Sequence, residues 1–153
     1  MLPIVAALNF WMSLGIIAMQ GAIVLIAIAL FFPTNSIAVS TRNLLKRFAI
    51  PLGFFVALAG TFLTLLYSDY FGFIPCGLCW LERIALYPQV VLLGIAWFKK
   101  DNAVWKYVLA LSLAGLIVAL YHHYIQIGGA DLIPCPASGN GDCGKRIIYE
   151  FGY

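Results

Sequence analysis

Residues 75–98 read PCGLCWLERIALYPQVVLLGIAWF, a cysteine pair followed by an apolar run that carries only two charged side chains, Glu82 and Arg83. Beyond the pair, the run is long enough to cross the roughly 30 Å hydrocarbon core of a bilayer as an α-helix. Pro88 lies inside it and should kink the helix, which bilayer helices tolerate. The sequence therefore predicts a membrane helix over residues 78–98 with Cys76 and Cys79 at its outer start.

Three further apolar runs meet the same length requirement: residues 2–32, without any charged side chain; residues 48–67, with Pro51 in the first turn, where proline is tolerated; and residues 103–127. A cleaved signal peptide is the alternative for the first run, but that run is too long and lacks a basic start.

The composition agrees with a membrane protein. The chain of 153 residues is 63% hydrophobic and 10% charged, whereas a soluble domain is about half apolar and about a quarter charged. We predict an all-α, polytopic membrane four-helix bundle forming a single domain over 1–153. Within it, residues 1–32 form an extra or permuted N-terminal helix, 48–127 the core helices, and 128–153 an extracytoplasmic cysteine loop and tail.

The basic residues predict the orientation. Most of the nine Lys and Arg residues lie between the first and second runs, between the third and fourth, or at the start of the fourth. The positive-inside rule places these segments in the cytoplasm: Arg42, Lys46, Arg47, Lys99, Lys100 and Lys106. Both termini and all four cysteines then face outward. No basic patch with interleaved aromatic residues indicates nucleic-acid binding, so the expected surroundings are membrane lipid.

The spacing of Cys76 and Cys79 is typical of a redox-active pair. At a helix start, the first thiol lies near unpaired backbone N–H groups and the positive end of the helix dipole, which favour the thiolate that thiol–disulfide exchange requires. Arg83, one turn after Cys79 on the same face, can stabilise a thiolate or hold an oxygen of an electron acceptor. Snorkelling to the headgroups is the alternative for Arg83, and it is equally open for Glu82.

The second pair, Cys135 and Cys143, is separated by a run of turn-forming residues, PASGNGD. A structural disulfide is one interpretation, but a Gly- and Pro-rich loop with little around it to staple favours an exchangeable disulfide. A zinc site made from the two pairs is a further alternative. Because an oxidising exterior competes with metal for the thiolates, we assign no metal to this site.

Polar residues also gather near the outer end of the fourth run, in the sequence YHHYIQ over residues 121–126. Helical spacing puts His122 and Gln126 on one face, and only one of the adjacent histidines, His122 and His123, can face the bundle. A histidine there can carry protons to a reduced acceptor. Interfacial polar residues in an aromatic belt are the alternative.

Taken together, PCGLCWLER, the histidine helix that ends in Gln126, and IPCPASGNGDCGKRIIYEFGY resemble the disulfide bond formation protein B (DsbB) family with its BdbC-like relatives. The resemblance covers residues 48–153. It implies a thiol:quinone oxidoreductase in a bacterial cytoplasmic (inner) membrane, with its active cysteines on the extracytoplasmic side. The implied cofactor is a quinone, ubiquinone or menaquinone, and the implied partner is a soluble, thioredoxin-like, DsbA-like thiol oxidase.

The resemblance also implies a role for each site residue. Cys135 and Cys143 form the loop disulfide that accepts electrons, and Cys135 makes the mixed disulfide with the partner. Cys76 and Cys79 reoxidise the loop pair, with Cys79 facing the quinone. Arg83 holds a quinone carbonyl and His122 lies near the ring.

This sequence departs from the family pattern at both ends. The family has a further helix after the segment that matches residues 150–153, and the first run of this chain either takes that place or is an extra helix. Two other functions stay open: a quinone-linked reductase of the vitamin K epoxide reductase type, and a non-enzymatic membrane protein with structural or metal-binding cysteines.

Overall fold

Helices make up nearly all of the described chain. The structure is a computed structural model that describes residues 3–31, 36–130 and 143–144. It contains α1 (Pro3–Phe31), α2 (Ser36–Leu65), a π-helix (Leu66–Tyr70), α3 (Gly77–Lys99) and α4 (Trp105–Gln126), and these described ranges contain no β-strand. All four α-helices are long and apolar enough to cross a membrane. The predicted all-α class with four spanning helices is confirmed.

The start of α2 differs from the prediction. The helix begins at Ser36, so that Pro51 lies in its interior instead of its first turn. The apolar run is bordered on its N-terminal side by the basic residues Arg42, Lys46 and Arg47. Lys and Arg are good helix formers, however, so the helix continues through them. Hydropathy therefore located the most apolar part of α2 and missed the helical turns that precede it.

The chain divides into two compact units, and the boundary falls inside α2. One unit includes Met1–Arg47 and the other contains Phe48–Lys145. In the first unit, α1 buries a stripe at four-residue spacing, Val5, Asn9 and Ser13, and exposes most of its other apolar side chains. Such exposure suits a helix that is solvated by lipid.

Small residues allow close helix packing in the second unit. A Cβ atom added to Gly115 of α4 would lie 3.1 Å from Cβ of Ala85 on α3, and one added to Gly94 of α3 would lie 3.2 Å from the ring of Phe54 on α2. Small residues of this kind let membrane helices approach closely, because packing replaces the hydrophobic effect as the main attraction between them.

Short irregular segments lie next to the start of α3 and the end of α4. The π-helix Leu66–Tyr70 ends in a backbone hydrogen bond from Phe71 N–H to Leu66 O, and Gly72 then adopts a φ of 70°, which glycine tolerates without a steric penalty. At the end of α4, Gly128 adopts a φ of 94° and donates its N–H to the carbonyl of Ile125. These turns bound the region in which the cysteines and His122 meet.

Candidate redox site

Cys76 is the N-cap residue of α3. Its backbone is extended, with φ −75° and ψ 171°, and its sulfur accepts a hydrogen bond from the N–H of Cys79 at 3.3 Å. The N–H group and the positive end of the helix dipole both favour negative charge on this sulfur. The prediction that the cysteine pair opens a helix is confirmed.

The two sulfurs of this pair lie side by side. Cys76 Sγ and Cys79 Sγ are 2.7 Å apart, and both cysteines are free. Cys76 is buried, whereas Cys79 is partly exposed. Because a disulfide bond is about 2.05 Å long, a small side-chain movement is enough to join them.

Cys143 links the second cysteine pair to the first. It is disulfide-bonded and only 3% exposed. It belongs to the same buried apolar cluster as Cys76, Leu78 and Ile125, and Cys79 packs against that cluster. The structure thus brings three of the four predicted cysteines together, while Cys135 lies outside the described residues.

His122 faces the cysteine pair from α4. It is 8% exposed, whereas the neighbouring His123 is exposed to the surroundings. His122 Nε2 lies 3.7 Å from Cys76 Sγ and 3.1 Å from Nε2 of Gln126. The contact with Gln126 fits the predicted spacing along the helix.

Glu82 holds the other side of the same imidazole. His122 Nδ1 lies 2.8 Å from Glu82 Oε1, and the side chain of Glu82 is 36% exposed. A proton on Nδ1 lets His122 donate to the carboxylate, and the Gln126 amide then donates to Nε2. Nε2 also lies 3.7 Å from the sulfur of Cys76, so carboxylate, imidazole and thiol form a relay in which the histidine can accept a proton once the Gln126 amide releases the single lone pair of Nε2.

Arg83 lies on α3 and contacts α2. Its guanidinium donates to the backbone carbonyl of Thr64 at 2.9 Å and lies 5.2 Å from the ring centre of Trp80. The residue is 8% exposed. Within the described part of the chain, this is the one hydrogen bond of a group with five N–H donors, so donors are left for an acceptor.

Thr61, one turn before Thr64 on α2, adds a second polar group near this contact. Its hydroxyl is buried and has no hydrogen-bond partner among the described residues. The hydroxyl of Thr64, by contrast, donates to the carbonyl of Thr61 at 2.8 Å. A buried hydroxyl without a partner costs about 1–3 kcal/mol, so a ligand acceptor here would remove a penalty.

Sequence reasoning missed three features of this site. It left Glu82 open between function and snorkelling, it paired His122 with an acceptor and not with Cys76, and it did not single out Thr61. The signal for Glu82 is its position: it lies three residues after Cys79 and thus on a face that the cysteine pair also occupies. Nothing in the sequence marks Thr61.

Comparison with known proteins gives a consistent result. The family model described as disulfide bond formation protein DsbB matches residues 46–151. The SPbeta prophage-derived disulfide bond formation protein B of Bacillus subtilis is 41% identical over 100 residues, which cover 65% of this chain and 67% of that protein. Disulfide bond formation protein C of B. subtilis is 40% identical over 100 residues, with 64% and 71% covered.

A third relative comes from another organism. The probable disulfide formation protein of Oceanobacillus iheyensis is 37% identical over 106 residues, which cover 65% of this chain and 67% of that protein. No solved structure matches the chain at a significant level. The matched region contains the cysteine pair, His122 and the segment with Cys143, and it covers the whole second compact unit.

Proposed function

Because this chain belongs to the family of disulfide bond formation protein DsbB, a family of membrane oxidoreductases that form disulfides, we propose that it oxidises a soluble thioredoxin-like protein and hands the electrons to a membrane quinone. The chain is a multi-pass membrane protein. Its direction of action, towards disulfide formation, is supported by the names of its relatives, each of which is called a disulfide formation protein.

The observation that carries the proposal is the packing of Cys143 in one buried cluster with the Cys76–Cys79 pair. In the first exchange, the partner's two thiols become a disulfide while the disulfide of Cys135 and Cys143 becomes two thiols. In the second exchange, that reduced pair becomes a disulfide again while a Cys76–Cys79 disulfide becomes two thiols. Each exchange moves two electrons and two protons, so the two exchanges together leave the partner's disulfide and a reduced Cys76–Cys79 pair.

One stage of the proposed cycle has the same pattern of free and bonded cysteines as the structure. Cys76 and Cys79 are free while Cys143 is disulfide-bonded. This is the stage that follows the second exchange, at which the Cys76–Cys79 pair (the inner dithiol) holds the electrons. An oxidant must then remove them before another exchange can begin.

The residues around Arg83 fit a quinone. A quinone presents two carbonyl acceptors on a flat ring. The spare N–H donors of Arg83 can bind such an acceptor, and Trp80 offers an aromatic surface beside them. A quinone bound there supplies a two-electron, two-proton oxidant to the dithiol. Cys79, one turn before Arg83, is the thiol that we assign to this exchange.

The remaining residues move the protons. When Cys76 loses its proton, His122 Nε2, which lies 3.7 Å from the sulfur, can accept it after the Gln126 amide turns away from that nitrogen. Glu82 stabilises the imidazolium that results through the 2.8 Å contact with Nδ1. Its side chain is partly exposed, which gives the proton a route out of the buried cluster.

The decisive experiment is quinone reduction by the purified full chain in detergent, with a reduced thioredoxin-like protein as electron donor and short-chain ubiquinone or menaquinone analogues as acceptors. We expect turnover with at least one quinone and none with Cys79→Ser, which should still insert and bind the partner. His123→Gln is the matched control, since His123 is exposed. Turnover by Cys79→Ser at the wild-type rate would show that the Cys76–Cys79 pair does not carry the electrons to quinone.

A further inference from the structure

Cys76, Cys79 and His122 offer three ligand atoms within 4.8 Å of one another. In a tetrahedral zinc site, sulfur and nitrogen ligands at about 2.3 and 2.1 Å from the metal lie roughly 3.6–3.8 Å from one another. The separation of Cys76 Sγ and His122 Nε2 is 3.7 Å, which matches that edge. The 2.7 Å between the two sulfurs must widen by about 1 Å, the kind of change that side-chain rotation provides.

Glu82 supplies the support that such a ligand needs. Histidines that bind metals nearly always donate their other ring N–H to a carboxylate, carbonyl or water, which fixes the ring and makes the ligand nitrogen more basic. Glu82 Oε1 is in that position, 2.8 Å from Nδ1. Gln126, whose amide now contacts Nε2 at 3.1 Å, must release that nitrogen when a metal binds.

From this geometry we propose that the reduced site binds one thiophilic divalent cation, such as Zn²⁺, through Cys76, Cys79 and His122. Binding releases the two thiol protons and leaves a fourth position for water, and no electron is transferred. The site differs from the four-cysteine zinc site considered for the sequence, because it uses a single cysteine pair together with a histidine of another helix. Two cysteines and one histidine form a known type of zinc ligand set.

The site exists in only one redox state. Once Cys76 and Cys79 join in a disulfide, they no longer offer thiolates, so oxidation should expel the cation. A bound cation in turn occupies both sulfurs of the inner dithiol. Here the inference rests on the proposed function: if these thiols carry the electrons, the cation arrests the cycle at the reduced stage.

Cobalt provides a probe of the site, because Co²⁺ bound to thiolates absorbs by charge transfer and tetrahedral Co²⁺ has intense visible bands. The full chain, reduced and freed of reductant, is titrated with Co²⁺ in detergent, and Zn²⁺ is then added to displace it. We expect one Co²⁺ per reduced chain, loss of the bands when Zn²⁺ is added, and no bands with the oxidised chain.

Three variants and one matched control test the assignment of the ligands. His122→Gln should weaken Co²⁺ binding at least tenfold, whereas His123→Gln, which changes the exposed neighbour, should bind as the wild type does. Glu82→Gln should weaken binding by about tenfold through the lost support of the ring. A Cys135→Ser/Cys143→Ser chain should retain the site, because it keeps all three proposed ligands and removes only the two other cysteines of the chain.

The absence of thiolate-to-cobalt bands in the reduced chain would overturn the proposal, and so would wild-type affinity in His122→Gln. If the double serine variant does not fold, the comparison of His122→Gln with His123→Gln in the wild-type background still decides, since a site of four cysteines does not depend on His122. The titration contains no quinone, so a chain that binds Co²⁺ but reduces no quinone defeats only the proposed function. A chain that reduces quinone without binding Co²⁺ defeats only the metal site.

Discussion

Glu82 of α3 and His122 of α4 meet at 2.8 Å between Oε1 and Nδ1, although they are 40 residues apart in the chain. The contact turns the opposite ring nitrogen towards Cys76 and joins the two helices that carry the site. It is the part of the site that no single helix can build.

Replacement of Glu82 tests this contact. Glu82→Gln keeps the size of the side chain but removes the charge that stabilises a protonated His122, so we expect turnover to fall about tenfold with little change in the apparent KM for quinone. Alkylation of Cys76 by iodoacetamide at fixed pH should slow in parallel. Asp69→Asn is the control, because Asp69 is an exposed acidic residue whose carboxylate accepts from Ser68. Equal effects of the two variants would show that Glu82 acts only through general surface charge.

Arg83 should act mainly on quinone binding. Arg83→Ala removes the guanidinium donors beside Trp80, and loss of one charge-assisted hydrogen bond corresponds to about 1.5–3 kcal/mol. We expect the apparent KM for quinone to rise tenfold or more, measured with a short-chain analogue over a wide concentration range. Lys106→Ala is the control, since Lys106 also lies over a tryptophan, Trp105, at 5.9 Å. An unchanged apparent KM for quinone in Arg83→Ala would mean that Arg83 does not bind quinone and instead extends towards the lipid headgroups.

The contact between α3 and α4 should tolerate no added bulk. Gly115→Val places a branched side chain where even a Cβ lies 3.1 Å from Ala85, and overpacking of this kind costs about 1–3 kcal/mol. We expect a lower midpoint in a thermal aggregation assay in detergent. Gly15→Val in α1 is the matched control, because a Cβ there meets nothing within 4 Å. A midpoint equal to that of the control would mean that the helices separate easily at Gly115.

The orientation of the chain is testable by labelling. In intact cells or right-side-out vesicles, a membrane-impermeant maleimide applied after reduction should label Cys79, which is partly exposed, from the extracytoplasmic side. A chain with Cys79→Ser provides the background. Labelling that requires the membrane to be opened would reverse the predicted topology and with it the electron route.

Sequence alone predicted the helices better than the site. The bounds of α1, α3 and α4 follow hydropathy closely because each apolar run is bordered by polar or turn-forming residues. The predicted start of α2 was wrong because a helix continues through basic residues that border a hydrophobic run: Arg42, Lys46 and Arg47. Hydropathy shows where the side chains change from apolar to polar, not where the backbone hydrogen bonds of a helix stop.

The site could be predicted only where its residues share a helix. The cysteine pair at the start of α3 and the pairing of His122 with Gln126 follow from spacing along one helix. The contact of Glu82 with His122 depends on how α3 and α4 are rotated against each other, and their sequences leave that rotation undetermined. The choice between His122 and His123 has the same origin, because neighbouring residues on a helix point about 100° apart and either could have faced inward.

The N-cap role of Cys76 ties chemistry to the backbone. The sulfur of Cys76, which we propose to exchange electrons, also accepts the N–H of Cys79 in the first turn of α3, and a thiolate is a stronger acceptor than a disulfide sulfur. Each turnover should therefore tighten and loosen this turn, and the amide of Cys79 should exchange its hydrogen with solvent more slowly in the reduced protein. The rigidity of the first turn of α3 should therefore depend on whether Cys76 and Cys79 are reduced or joined in a disulfide.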